Sequence, residues 1–464
     1  MLIILISRIP FLIKLMPKPA NAIKNQIDLD EKYFPFVSLI ISASSEDKEI
    51  FKRKIKNTLE LDYPKDRLEI FFAIAFDESD DNETINEYYN NFLTHPETNE
   101  VSSKEEEIYI KYLEYDLALE NRTLQNKNII LSGFEEKLNS ENFNSDGLRP
   151  LSKSAIDKYG TLIDNTKDEA RIYITKDIER KGKTRQVNRT IEKASGDILV
   201  FSDSNSFFNK EALINLTRHF KNSEVGCVAG EKRVKRSDRS TSGEGEGLYW
   251  KYESLLKKAD SKVRTTVGAA GEIYAIRKTL WNSCKKKYSL NNAIIEDFIV
   301  SMNAAEEGYR VIYEPEAYAE EEPTNKVNDE FIRRKRIAAG GFQSIIWLRS
   351  LLNIFKYKTL SFQYISHRVL RWAIVPFLLP VILALNIFLI FKRPDLLNSG
   401  MLFLQITIYT LASVGYLLEK VKKKIKIFNI PFMLLMMNVS AYFGLVRFLK
   451  GDQSAVWEKV SRTI

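Results

Sequence analysis

Cysteine and histidine are scarce in this chain. Two cysteines, Cys227 and Cys284, stand far apart in 464 residues. That excludes a disulfide framework and a cysteine-based zinc site, and suits a reducing compartment. Three histidines (His95, His219, His367) follow no helical or metal-type spacing, so a histidine-ligated metal is not expected. Charge of one sign is also in short supply. Lys and Arg exceed Asp and Glu by only 69 to 61. No basic, aromatic-interleaved patch appears, so nucleic acid is not an expected partner. The excess fits small anionic ligands or a lipid surface.

Uncharged apolar runs, by contrast, are abundant near the C-terminus. Residues 372–391 (WAIVPFLLPVILALNIFLIF), 401–418 and 428–446 contain no charge. At about 1.5 Å per residue, each crosses or nearly crosses a hydrocarbon core of roughly 30 Å. The sequence therefore predicts a bundle of about three transmembrane helices over 365–449, then a tail, 450–464. Residues 1–34 form a hydrophobic segment and a polar linker. Arg8, Pro10 and Lys14 interrupt its apolar start, leaving an interfacial helix and a poor span as alternatives.

From residue 35 the text alternates strand and helix. "PFVSLIIS" and "LEIFFAIAF" are continuous apolar strands flanking a helix closed by Pro64, the pattern of a parallel sheet covered on both faces. "RIYITKD", "KTRQVNRTIEKA", "GDILVFSD" and "VGCVAGEKRV" continue it. Residues 82–170, rich in Asn, Glu and Lys, read as an insertion of short helices and loop without chemistry. An α/β domain with a mainly parallel sheet over 35–350 is the expectation. Ligands of such sheets sit beyond the carboxyl ends of the strands.

One such end is "FSDSNSFF" (201–208). Asp203 and Asn205 are two apart, so on an extended chain both aim oxygens at one point, as a phosphate-bound hard cation requires. Ordinary turn chemistry explains the same letters. "AIIEDFIV" delivers Glu296 and Asp297 to the edge of an apolar run, where a carboxylate serves as a general base or caps a helix. "EFIRRKRIAAGG" places three arginines within four residues, for a phosphate or for a solvated face.

Taken in order, "VSLIISASSE", "FDESDD", "KGK", "GDILVFSDSN", "GEGLYWKYE", "VGAAGEIYAIRK", "EDF", "GYRVIYEPEA" and "FIRRKRIAAGG" resemble the membrane-bound family-two glycosyltransferases with a GT-A fold. Cellulose, hyaluronan and chitooligosaccharide synthases are relatives in that group. The resemblance implies an inverting transfer from a nucleotide-sugar donor, a UDP-sugar by expectation, to a saccharide or lipid-linked acceptor, aided by Mg²⁺ or Mn²⁺. It assigns the base to Asp297. It assigns donor contacts to Glu46, Asp77, Lys181, Lys183, Asp203, Arg334 and Arg336, with the metal on Asp203 and Asn205. Gly268, Gly271, Glu272 and Trp250 fall on the acceptor side. The commonest form of the metal motif is Asp-x-Asp, so Asn205 is a departure. Ile337 replaces the tryptophan of the family's Gln-Arg-x-Arg-Trp segment, which counts against a long-chain synthase.

Two other functions stay open: a processive polysaccharide synthase, and a catalytically silent membrane scaffold. The resemblance also implies a cell (inner) membrane location with the catalytic domain in the cytoplasm. The basic stretch 419–427 belongs on that side by the positive-inside rule. A third crossing would then put the tail outside, whereas the family's Trp-containing tail (Trp457 here) is sometimes held near the active site; either the last apolar run does not fully cross or the tail is external.

Overall fold

The computed structural model describes residues 33–44, 48–75, 161–164, 171–176, 183–235, 241–322, 327–392, 394–421 and 425–451. The expectations for residues 1–32, Glu46, Asp77, Lys181 and Trp457 lie outside the described residues, as does most of the stretch read as an insertion.

A nine-stranded sheet organises the first part of the chain. Its strands are β1 (Val37–Ser44), β2 (Leu68–Ala75), β3 (Thr161–Asp164), β4 (Arg171–Lys176), β5 (Ile198–Asp203), β6 (Phe207–Phe208), β7 (Val225–Val234), β8 (Ile273–Arg277) and β9 (Arg310–Glu321). Their spatial order is β3-β4-β2-β1-β5-β8-β7-β9-β6. β4, β2, β1 and β5 run parallel, while β8 runs antiparallel between β5 and β7. Residues 161–164, inside the expected insertion, form β3 along β4.

The unbroken apolar strands face two cores. Ile40, Phe71 and Phe201 join one cluster; Leu39, Ile41, Phe72 and Val200 join the other. Successive residues of a strand point to opposite faces, so a sheet covered on both sides selects apolar residues at every position. Phe201 stacks on Tyr274 at 4.5 Å and Trp281 at 4.9 Å. Burying each such ring contributes about 1.5–3 kcal/mol, which fixes β5 and the residue that ends it.

The covering helices are α1 (Lys48–Leu59), α2 (Lys183–Lys193), α3 (Ala212–Thr217), α4 (Thr241–Val263), α5 (Lys278–Lys287) and α6 (Glu296–Glu306), followed by α7 (Val327–Trp347). Among the described residues, three helices are long and apolar enough to cross a membrane: α8 (Thr359–Lys392), α9 (Leu396–Lys420) and α10 (Lys426–Lys450). The apolar run from 372 is only the second half of α8. Its first half includes a π-helical stretch, Ile365–Ile374, with Ser366, His367, Arg368, Val369 and Trp372 buried. Glu253 of α4 receives Arg368 at 2.6 Å and Arg371 at 2.8 Å. Asp260 receives Gln363 and lies 2.7 Å from His367 Nδ1. This polar seam ties the first apolar helix to the sheet domain.

Candidate active site

The carboxyl ends of β1 and β5 lie side by side, with Ser42 opposite Asp203. The Ser204 N–H donates to the Ser42 carbonyl at 3.0 Å, ending β5 sharply and leaving Asp203 at the sheet's rim. Lys183, the first residue of α2, reaches Asp203 directly and lies 3.8 Å from Glu296. Burial alone would lower the Lys183 ammonium, but Asp203 and Glu296 outweigh it and raise it.

Glu296 and Asp297 open α6, whose N-cap is Ile295 without a side-chain cap bond. Asp297 is therefore the second residue of the helix, not its cap. Burial, reinforced by Glu296 and Glu272, pushes its carboxyl up to about 7, against a hydrogen bond from the Phe298 backbone and the charge of Lys183. A carboxylate tuned this way is a competent base near neutral pH.

Opposite stands the "GAAG" turn before β8. A Cβ on Gly271 would lie 3.4 Å from Asp297 Oδ2, so the small residue keeps the approach to that carboxylate open. Gly268 adopts φ +91° and packs on the Phe298 ring; it shapes the turn without lining the cleft. Glu272 is clamped by Lys232 and by Arg333, the latter at 3.1 Å. Burial pushes Glu272 up, but these cations prevail and hold it below its ordinary value. Lys232 also lies 5.1 Å from the Trp250 ring.

Helix α7 closes the cleft with Arg333, Arg334 and Arg336. Arg334 Nε donates to Glu330 at 2.6 Å. Burial, then the like charge of Arg333, lowers Arg336 to about 10, so it stays protonated at neutral pH.

Lys183, Trp250, Asp203, Gly271, Glu272, Asp297, Arg334 and Arg336 thus line a single cleft of ≈ 980 Å³, its open mouth included. Asn205 lies on the turn beyond β5 and is not among the lining residues. The cleft also contains residues that the sequence alone did not single out: Glu253, Lys257, Arg368, Arg371 and Trp372. Glu253 and Lys257 are four apart on one helix face, and "HRVLRW" abuts an apolar run. Those were the available signals.

Among the described residues, no three His, Cys, Asp or Glu side chains converge on a metal position. Mg²⁺ characteristically uses one or two carboxylates plus the phosphates of its substrate. Asp203, sharing one cleft with Glu296 and the α7 arginines, fits that arrangement.

Residues 163–340 match the family described as glycosyltransferase like family 2. Curated poly-beta-1,6-N-acetyl-D-glucosamine synthases of Staphylococcus aureus, strains COL and N315 among them, are 27% identical over 183 residues. The match covers 39% of this chain and 43% of theirs, so the chain spans less than half the length of these relatives. A solved mannosyltransferase from Pyrobaculum calidifontis, in complex with GDP-Man and Mn²⁺, is 16% identical with a TM-score of 0.55, covering 97% of this chain and 98% of that one. The architecture is the GT-A fold.

Proposed function

We propose that this chain, whose residues 163–340 carry a family-two glycosyltransferase segment, is a membrane-anchored inverting glycosyltransferase. It moves a sugar from a nucleotide-sugar donor to a hydroxyl of a saccharide or lipid-linked acceptor. The observation that carries this reading is the placement of Asp297, with its raised pKa, across one cleft from Asp203, Lys183 and Arg336.

The acceptor hydroxyl enters past Gly271 and gives its proton to Asp297 as its oxygen attacks the anomeric carbon. The bond from that carbon to the diphosphate oxygen breaks on the opposite face, so configuration inverts and the nucleoside diphosphate leaves. Arg334, Arg336 and Lys183 supply fixed positive charge where the leaving group develops its negative charge. Asp203 would hold the divalent cation, with Asn205 as a second, more distant candidate. When bound, Mg²⁺ or Mn²⁺ would add Lewis-acid neutralisation of the diphosphate. Glu272 positions Arg333, and Trp250 offers a flat face to a sugar ring. The three apolar helices would anchor the domain, with the cleft on the cytoplasmic side of the cell membrane. Donor contacts by Glu46, Asp77 and Lys181 remain part of this proposal.

Polymer synthesis is a second reading, favoured by the name of the Staphylococcus aureus relatives, which are poly-beta-1,6-N-acetyl-D-glucosamine synthases. Purified protein in detergent, supplied with a panel of nucleotide sugars and Mn²⁺, tests both. Turnover of a donor that is lost in Asp297→Asn supports the transferase, and product length separates single addition from polymerisation. Wild-type protein that binds nucleotide but turns over no donor with any acceptor would overturn the proposal in favour of a silent scaffold.

A further inference from the structure

The third apolar helix, α10, packs unlike the other two. It lies side by side with α7, the arginine helix of the cleft. Val327 and Phe331 pack on the cluster Phe432, Met433 and Met436. Phe331 meets Phe443 at 5.7 Å, and Phe342 meets Phe448 at 6.3 Å. Between them the backbones nearly touch: a Cβ on Gly444 would sit 2.5 Å from Ala338 Cβ and 2.9 Å from the Lys335 carbonyl. Contacts advance together along both helices, so the two run parallel and share one depth.

That shared depth is the constraint. The stretch of α7 alongside α10 carries Asp329, Glu330, Arg333, Arg334, Lys335 and Arg336, and several of these face the cleft. If α10 crossed the hydrocarbon core, α7 would be carried into it with six ionisable side chains, each costly there. A water-soluble donor would also lose access to Arg333 and Arg336.

The contacts with α8 and α9 agree. α10 meets α8 at the start of its uncharged half, where Tyr442 donates to the Pro376 carbonyl at 2.8 Å and stacks near Phe377 at 4.6 Å. It meets α9 through Gly415 and Tyr416, near that helix's end. Beyond Phe377, α8 continues for about 22 Å, bonded to α9 through Asn386 and Gln405 at 2.8 Å. Leu385, Phe388, Phe391, Phe403 and Leu404 stay exposed on this hairpin. α10 is also the most buried of the three: 33% of its apolar stretch lies inside the protein, against 11% for each of the others. Its outward face carries Val439, Val446 and Leu449, an apolar stripe at helical spacing suited to lie in an interface.

We propose that α10 does not cross the membrane but lies in the plane of the lipid surface beside α7, so that of these three helices α8 and α9 alone cross. The chain then leaves α10 at Gly451 on the same side as the cleft. Lys420, Arg447 and Lys450 all fall on that side, as the positive-inside rule favours. This inference rests on the membrane anchoring proposed above.

Single added cysteines test it in the full chain. Cys227 and Cys284 are buried and give little background to a membrane-impermeant maleimide. Lys286→Cys reports the catalytic side, Ser399→Cys the start of α9 next to the α8–α9 connection, and Lys450→Cys the end of α10; all three positions are exposed. Labelling is measured on intact cells or spheroplasts and on inverted vesicles. The expected result is Lys450→Cys labelled with Lys286→Cys, and Ser399→Cys labelled only from the other face. Lys450→Cys labelled with Ser399→Cys would overturn the in-plane helix and leave the anchoring intact. Ser399→Cys labelled with Lys286→Cys would overturn the anchoring itself, and the inference with it.

Discussion

Asp297 is held in a site that disfavours its charge, and two consequences follow at the scale of that residue. In the reaction it must be ionised, so kcat/KM should rise with pH through a midpoint near 7 and flatten above it. In folding the sign is opposite. The native state holds the proton more tightly than the unfolded chain, whose aspartates titrate near ~3.9. Stability contributed by this group is therefore present below the unfolded value and lost as pH rises from about 4 to about 7. Asp297→Asn should abolish transfer yet raise the Tm of the empty protein at pH 8, measured by thermal unfolding in detergent. A lower Tm with residual turnover would contradict the assignment. Arg336 poses a different test. It remains protonated, and charge-assisted hydrogen bonds contribute about 1.5–3 kcal/mol. Arg336→Ala should thus weaken nucleoside diphosphate binding roughly 10- to 100-fold, read by calorimetry.

At the scale of elements, the seam between α4 and the π-helical part of α8 is the feature with the greatest leverage. Glu253 is 2% exposed. Burial pushes its carboxyl up, but Arg368, Arg371 and His367 more than reverse this and hold it well below the ordinary range. Its stabilising contribution is present above the unfolded carboxylate pKa and fades as pH falls through and below that value. Removing the carboxylate in Glu253→Ala leaves Arg368 and Arg371 uncompensated in a buried position, a loss of about 3–5 kcal/mol. The expected readout is a lowered Tm and loosened docking of α8, seen as faster hydrogen exchange at 365–374. The turn before β8 gives a second case. Gly268 combines φ +91° with a Phe298 ring where a Cβ would go, so Gly268→Ala should destabilise by about 1–3 kcal/mol and disturb the α6 start that carries Asp297.

Taken whole, the molecule is a GT-A domain whose cleft is closed by a helix lying against its apolar bundle. If Asp203 holds a donor-borne cation, EDTA should remove donor turnover and Mn²⁺ or Mg²⁺ should restore it. Turnover that persists in chelator would show that Lys183 and the arginines suffice. The parallel strands β1, β2, β4 and β5 were legible because unbroken apolar runs have one cheap solution, burial on both faces. Lys183, Asp203 and Asp297 could be singled out because each stands at a strand end or helix start, and Arg334 and Arg336 because they crowd one short basic stretch. β8 was not. "EIYAIR" follows a glycine-rich turn, and its antiparallel pairing between β5 and β7 depends on partners far away in sequence. β3 was hidden for the same reason, as four residues in a polar stretch.

Other features had no local signal at all. Glu253, Arg368 and Arg371 look like solvated charges on two separate helices until packing brings them together, and Glu272 becomes a clamp only when Lys232 and Arg333 reach it. The sequence by itself determined the α/β class, the order of the motifs and the presence of three helices apolar enough to meet lipid, because strand burial and hydropathy are written residue by residue. Only the tertiary structure decided which charges share a cleft and which apolar helix lies beside a charged one, because ion pairing and depth are relations between segments that are distant along the chain.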